Sequence, residues 1–160
     1  MTINLQNNEG RHTMSDIEKS IGFLLAKAYQ RAFALVKEEL EPYDLTPPQF
    51  GVLAFLWQQD GLTQVELSEK SQVDRTTLGG LIDRLEKCGL VERHPHPHDR
   101  RAHQIRLTPK GKSMETPLSE CSKKALAKFT SGLTNGDVTD LARILEILRG
   151  DKRIYEKPAF

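Results

Sequence analysis

The residues able to do chemistry in this 160-residue chain crowd into one stretch. Residues 93–112 hold six Lys/Arg against one Asp, with four histidines; residues 1–92 hold nine Lys/Arg against 14 Asp/Glu. The chain as a whole nets only +1. A cationic segment in an otherwise acidic chain is the footprint of a polyanion contact, and a solvated loop has the same composition. Within it, His94, His96 and His98 alternate, so an extended strand would put them on one face, as a metal site requires. Pro95 and Pro97 suit a stiff loop equally well, and only Glu92 is near enough to add a ligand, so no metal is expected. Cys88 and Cys121 are too few for a disulfide framework and read as packing residues, with redox sensing as the alternative. No Gly-rich phosphate loop, nucleophile elbow or His-Glu-x-x-His motif is present. The expectation is therefore no enzyme and no cofactor.

The elements that must position this segment are mostly helical. Ile17, Ile21, Leu24, Ala28, Ala32 and Leu35 recur at three- and four-residue steps, predicting one helix from Ile17 to Leu40 that Pro42 ends. Such a helix is roughly 35 Å long. Thr46-Pro47-Pro48-Gln49 is a helix start with a capping box, followed by Phe50, Leu53, Ala54 and Trp57 on one face. Thr63 to Glu66 is a second capping box and opens a short helix. Ser71-Gln72-Val73 turns the chain, and Asp74 caps a third helix with Leu78, Leu81, Ile82 and Leu85 on its inner side. Gly89 stops it. Two short helices joined by such a turn read as a helix-turn-helix.

Leu90 to His94 and His103 to Leu107 then read as two strands of a hairpin whose basic tip spans Pro95 to Ala102, a wing. Thr108-Pro109 starts another helix with the stripe Met114, Leu118, Cys121, Ala125 and Phe129; Pro117 predicts a kink or a broken first turn. A last helix follows Thr134, with Val138, Leu141, Leu145 and Leu148 on one face. The predicted fold is mainly α with a small β-wing. Residues 46–108 form the winged helix-turn-helix, 15–45 and 109–150 are dimerisation helices, 1–14 a disordered start and 151–160 a tail. The outer apolar stripes exceed what the small module can cover, so a homodimer is expected. With no apolar run of about 18 residues and no apolar leader segment, a soluble cytoplasmic protein without membrane contact is expected.

The ordered motifs Leu45-Thr46-Pro47-Pro48-Gln49-Phe50, Leu62-Thr63-Gln64, Leu81 to Arg93, Asp99-Arg100-Arg101-Ala102 and Leu107-Thr108-Pro109-Lys110-Gly111 resemble the MarR family of bacterial transcription regulators. The family's wing signature, Asp-x-Arg-x5-Leu-Thr, is met by Asp99, Arg101, Leu107 and Thr108. The resemblance spans about residues 17–150. It implies a homodimeric winged-helix regulator, more often a repressor than an activator, on double-stranded inverted-repeat DNA. The recognition helix enters the major groove and the wing arginine the minor groove. A small molecule, often aromatic and anionic, commonly relieves DNA binding. Asp74 to Gly80 is similar to the same stretch in regulators of aromatic-acid catabolism. Peroxide-sensing members carry a reactive cysteine in the first long helix, and residues 15–45 hold none here.

On this reading the outward face of the third helix offers Thr76, Gly80, Asp83 and Lys87, flanked by Thr77 and Arg84. Thr76 and Thr77 suit base edges or phosphates. Where the family shows larger polar residues this chain has Gly79 and Gly80; close approach to DNA explains them, and so does loose packing. Few base-reading side chains remain, which favours readout of DNA shape. Arg101 fits a narrow minor groove, and Arg75, Arg100 and Lys110 are phosphate candidates. Asp99 is expected to pin the wing by pairing with an arginine. The effector is expected in the seam between the dimer helices and the winged module. Phe50, Leu53, Ala54 and Trp57 would form its apolar wall, and Lys27 and Arg31 would pair the anion of an aromatic carboxylate or its coenzyme A thioester. The rival classes are a redox- or metal-responsive regulator of the same fold, and a helical interaction protein that binds no DNA.

Overall fold

The computed structural model describes residues 14–150; the expectations for the first 13 residues and for 151–160 lie outside the described residues. A 3-10 turn, Met14–Lys19, precedes α1, Ile21–Leu40. The single helix expected from Ile17 is thus broken at Ser20. Ser20 takes an extended backbone, accepts the Phe23 N–H at its hydroxyl (3.3 Å) and donates to the Ile17 carbonyl (2.7 Å). Serine gains more as an N-cap than inside a helix, which moves the start past Ile17. A 3-10 turn over Glu41–Tyr43, containing Pro42, leads to Asp44 in the left-handed region.

Next comes α2, Pro47–Gln58. Gln49 Oε1 receives the Thr46 N–H at 2.8 Å, completing the expected box. Then follow β1 (Leu62–Thr63), α3 (Gln64–Ser71), α4 (Arg75–Lys87), β2 (Val91–Pro95) and β3 (His103–Leu107). The three strands form one antiparallel sheet in the order β1-β3-β2, with Leu62 opposite Ile105 and Arg93 opposite Ile105 on its other edge. The two-stranded hairpin expected from the sequence therefore has a third strand. Two residues carry no periodicity, so β1 could not be read locally; it exists because β3 offers a free edge.

α5 (Pro109–Ser113) and α6 (Glu115–Phe129) are separated at Met114. Pro117 lacks the N–H that a continuous helix would aim at Ser113, so the break falls where the sequence places it. α7 is Asn135–Arg149, capped by Thr134 with Asp137 and ended by Gly150.

The core is built from inward positions of every central element: Leu53 and Leu56 of α2, Leu67 of α3, Leu78, Ile82 and Leu85 of α4, Val91, Ile105, and Leu118 and Cys121 of α6. Cys121 is a core residue, and Cys88 is half-buried at the end of α4. α1 packs along α6. Lys128 of α6 binds both Glu38 (2.9 Å) and Glu39 (2.7 Å) of α1. That contact raises the Lys128 pKa and lowers that of Glu39. Ile21, Leu24, Leu25 and Tyr29 of α1 and Ile144, Leu145, Ile147 and Leu148 of α7 stay exposed. No described helix is long and apolar enough to cross a membrane.

Candidate nucleic-acid interface

The turn between α3 and α4 is set by side chains that hold backbone. Thr63 caps α3 by accepting the Glu66 N–H, while Glu66 accepts the Thr63 N–H and hydroxyl, which keeps the Glu66 carboxyl below its ordinary value. Gln72 turns the chain at φ 55°. Asp74 Oδ1 accepts the Thr77 N–H at 3.0 Å, and this backbone contact, followed by the Thr77 side chain, lowers the Asp74 pKa. Asp74 therefore stays ionised at the helix N-terminus, where the helix dipole also favours it. Gln64 Nε2 donates to the Arg75 carbonyl at 2.8 Å and ties the start of α3 to the start of α4.

Leu78, Leu81, Ile82 and Leu85 are buried, so α4 turns Arg75, Thr76, Thr77, Gly80, Asp83, Arg84 and Lys87 outward, as the spacing predicts. The two glycines separate in role. A Cβ on Gly79 would sit 3.2 Å from Gln64 Nε2, so Gly79 accommodates the α3–α4 tie. A Cβ on Gly80 would meet nothing within 4 Å, so that position leaves an open bay on the outward face.

The far end of α4 is closed by the segment after β3. Thr108 Oγ1 donates to the Gly89 carbonyl (2.6 Å), Thr108 N–H to that of Leu90 (3.1 Å) and Lys110 Nζ to that of Cys88 (2.9 Å). The Lys110 ammonium, a phosphate candidate in the sequence, thus serves the carbonyl that ends α4, about 18 Å along the helix from Thr76. Gly111 is buried there, and a Cβ on it would fall 2.0 Å from the Leu90 oxygen. Trp57 Nε1 donates to the Gly111 carbonyl at 3.0 Å.

The wing tip is closed by its own polar groups. The Asp99 carboxylate accepts the Arg101 N–H at 2.9 Å, and its carbonyl accepts the Ala102 N–H at 3.1 Å. Asp99 thus shapes the wing, but through the arginine's backbone amide and not through the expected guanidinium. His96 Nδ1 accepts the amides of His98 (3.3 Å) and Asp99 (3.1 Å), whereas His94 faces Glu92 Oε1 at 2.7 Å. His96 and His98 are therefore engaged with each other, and His94 apart from them. Among the described residues no group of three or more His, Cys, Asp or Glu is disposed to hold a metal ion. At the wing base, Asp60 Oδ1 accepts the N–H of Leu107 and of Gly61, both at 2.9 Å. No local pattern marks Asp60 for this role, because its partner lies 47 residues away.

Helix and wing meet at one cleft of about 330 Å³. Arg75 lines it from α4, Gln64 from α3, and Arg93, Asp99, Arg101 and His103 from the wing. Arg100 and Arg101 are both exposed at the tip. The Arg75 and Arg101 guanidiniums on one concavity between a helix N-terminus and a hairpin suit phosphate and groove contacts, while Arg93 is paired with Asp83 and Glu86.

The structure disperses the expected effector site. Leu53 is 0% exposed and belongs to the core. Phe50, Ala54 and Trp57 do line a groove of about 200 Å³, but its other wall is Gln58, Glu115 and Ser119. Lys27 instead sits over the Phe23 ring at 5.4 Å and donates to Gln30, and Arg31 lies over the Phe129 ring at 5.8 Å. α1 lies against α6, and of the two cations only Arg31 reaches that seam; the contacts of Lys27 stay within α1. A third cavity, about 400 Å³, lies between the end of α1 and the start of α2, beside Lys37, Glu38, Glu41 and Asp44.

Comparison with known proteins agrees with this geometry. The sequence profile of the MarR family matches residues 45–103. The transcriptional repressor NicR of Pseudomonas putida is 31% identical over 138 residues, covering 86% of this chain and 85% of NicR. A structure of Bordetella bronchiseptica BpsR, solved to explain regulation of its DNA binding by 6-hydroxynicotinic acid, is 25% identical, covers 89% of this chain and 99% of BpsR, and superposes with a TM-score of 0.81. A variant of Escherichia coli MarR in complex with operator DNA is 29% identical, covers 85% of this chain and 98% of that one, and has a TM-score of 0.75. With the recognition helix, the wing and this extent of similarity in hand, the chain belongs to the MarR family of DNA-binding winged-helix transcriptional regulators, a family of regulators and not of enzymes.

Proposed function

We propose that this protein is a homodimeric repressor that binds an inverted-repeat operator in the cytoplasm and is released by a small aromatic carboxylate or its coenzyme A thioester. The observation that carries the reading is the cleft shared by Arg75 and Arg101. It puts the start of the recognition helix and the wing tip on one side of the molecule, as a single duplex contact requires. α4 would enter the major groove with Arg75, Thr76, Thr77 and Arg84 near its walls and Gly80 giving close approach. Arg101 would enter the minor groove, and Arg100 would meet phosphate. Two recognition helices related by a two-fold axis would read half-sites about one turn, roughly 10 bp, apart.

The dimer rests on the exposed stripes of α1 and α7, which nothing among the described residues covers. Repression and an aromatic-acid effector are carried over from NicR and BpsR as relatives. An effector acts by binding the DNA-incompetent arrangement more tightly, since a ligand shifts an equilibrium only by its differential affinity. The groove of Phe50, Ala54 and Trp57 supplies a fluorophore for following it. The test is footprinting on DNA upstream of the protein's own coding sequence, with 6-hydroxynicotinate, benzoate- and cinnamate-type acids and their coenzyme A esters added in turn. A symmetric footprint that one of these compounds erases supports the reading. A footprint on no DNA overturns the repressor assignment, and a footprint that none of them changes overturns the effector class.

A further inference from the structure

Arg93 is the one wing arginine whose guanidinium is committed to acidic partners. One of its terminal nitrogens donates to Asp83 Oδ1 at 2.5 Å and the other to the Glu86 carboxylate; its backbone N–H adds a 3.3 Å bond to Glu86 Oε1. Both acids lie on α4, one turn apart, so a single residue of β2 grips the recognition helix three times. The place of this grip in the sheet matters. β3 is braced by β1 on one side, while β2 is an edge strand. Val91 is the last buried residue of β2, and the strand leaves the core beyond it. Core packing thus holds the base of the wing, and the Arg93 grip is the next contact toward the tip.

Charge excludes the obvious alternative role. One guanidinium with two carboxylates carries a net charge of −1, which repels phosphate. Such a group on the DNA-facing side of α4 does not serve attraction, and the side chains are 28% exposed for Arg93, 58% for Asp83 and 39% for Glu86.

We infer that Arg93 is a positioning residue for DNA recognition: its grip on Asp83 and Glu86 fixes the wing relative to α4, so that Arg101 and the recognition helix meet one site together. This rests on the DNA-binding face proposed above. It requires coupling: contacts made by Arg101 are worth their full amount only while the grip is intact.

The experiment is a double-mutant cycle on DNA selected from a random pool by the wild-type protein. Affinity is measured for wild type, Arg101→Ala, the pair Asp83→Asn with Glu86→Gln, and all three changes together. Phosphate electrostatics alone would make the neutralised pair bind more tightly, with Arg101→Ala costing as much as before. The positioning role instead expects the Arg101→Ala penalty to shrink from roughly tenfold or more to under about threefold in the pair background. The same shrinkage is expected with Arg93→Ala; if that variant does not fold, the exposed pair still reads the contact from the other side. An Arg101→Ala penalty of full size in the pair background overturns the positioning role alone. Equal binding by wild type and Arg101→Ala overturns the DNA-facing wing and the positioning role with it.

Discussion

Arginines that look alike in a basic run differ by what holds them. Arg101 is exposed at a tip shaped by Asp99, while Arg93 is spent on two carboxylates. Arg101→Ala is expected to weaken operator binding roughly tenfold to a hundredfold, the range for losing one well-placed groove contact, with the thermal unfolding curve unchanged. Gel shifts beside a melting curve check both halves. Gly111 tests packing instead. Its Cβ position is occupied by the Leu90 carbonyl oxygen at 2.0 Å, and backbone moves less readily than side chain. Gly111→Ala should cost about 3 kcal/mol, the upper end of ordinary overpacking, in denaturant unfolding. Gly80→Ala should leave stability unchanged or slightly raised, because its Cβ meets open space and alanine favours helix.

At the scale of the element, the recognition helix is held at both ends by groups outside it. Asp74 and Gln64 serve its start, and Thr108 and Lys110 its finish. The cap carries a pH signature. Asp74 has a folded pKa below its ordinary 3.8, so its contribution is fully present above that value and is lost as pH falls through the lowered native one. Glu66 and Asp137 cap α3 and α7 with the same sign. Acid should therefore loosen α4 before neutral or alkaline pH does. In Asp74→Asn, which keeps an acceptor but no charge, stability measured by denaturant melts should depend less on pH between about 5 and 2 than in wild type. Identical pH slopes in the two proteins would refute the cap's share.

Across the whole molecule the apolar faces of α1 and α7 remain to be covered. Ile21 is 68% and Ile147 66% exposed, which a stable monomer does not repeat along two helices. Sedimentation at micromolar concentration should give about twice the chain mass of 18.1 kDa. Arg substituted for Leu24 and Leu145 together should yield monomer and abolish footprinting, since one half-site contact is too weak alone. Salt reports the interface directly. Log affinity should fall linearly with log salt, and Arg100→Ala should reduce the slope by about one per bound protomer.

What the sequence determined by itself was everything set by neighbours within about one helical turn. The capping boxes at Thr46 and Thr63, the Asp74 cap, the inner stripe from Leu78 to Leu85, the break before Pro117 and the two wing strands all follow from short-range hydrogen bonding and side-chain periodicity. The outward residues of α4 follow from the same arithmetic. Tertiary structure decided the rest, because the partners are far apart along the chain. β1 exists only against β3; Asp60 finds Leu107, Lys110 finds Cys88, and Arg93 finds Asp83 and Glu86. The expected effector wall depends on helix rotation as well as on spacing. A helical stripe tells which residues share a side, but the rotation of α1 against α6 is set by packing and by Lys128. Lys27 lies over Phe23 of its own helix, Arg31 over Phe129 of α6, and Leu53 of α2 in the core.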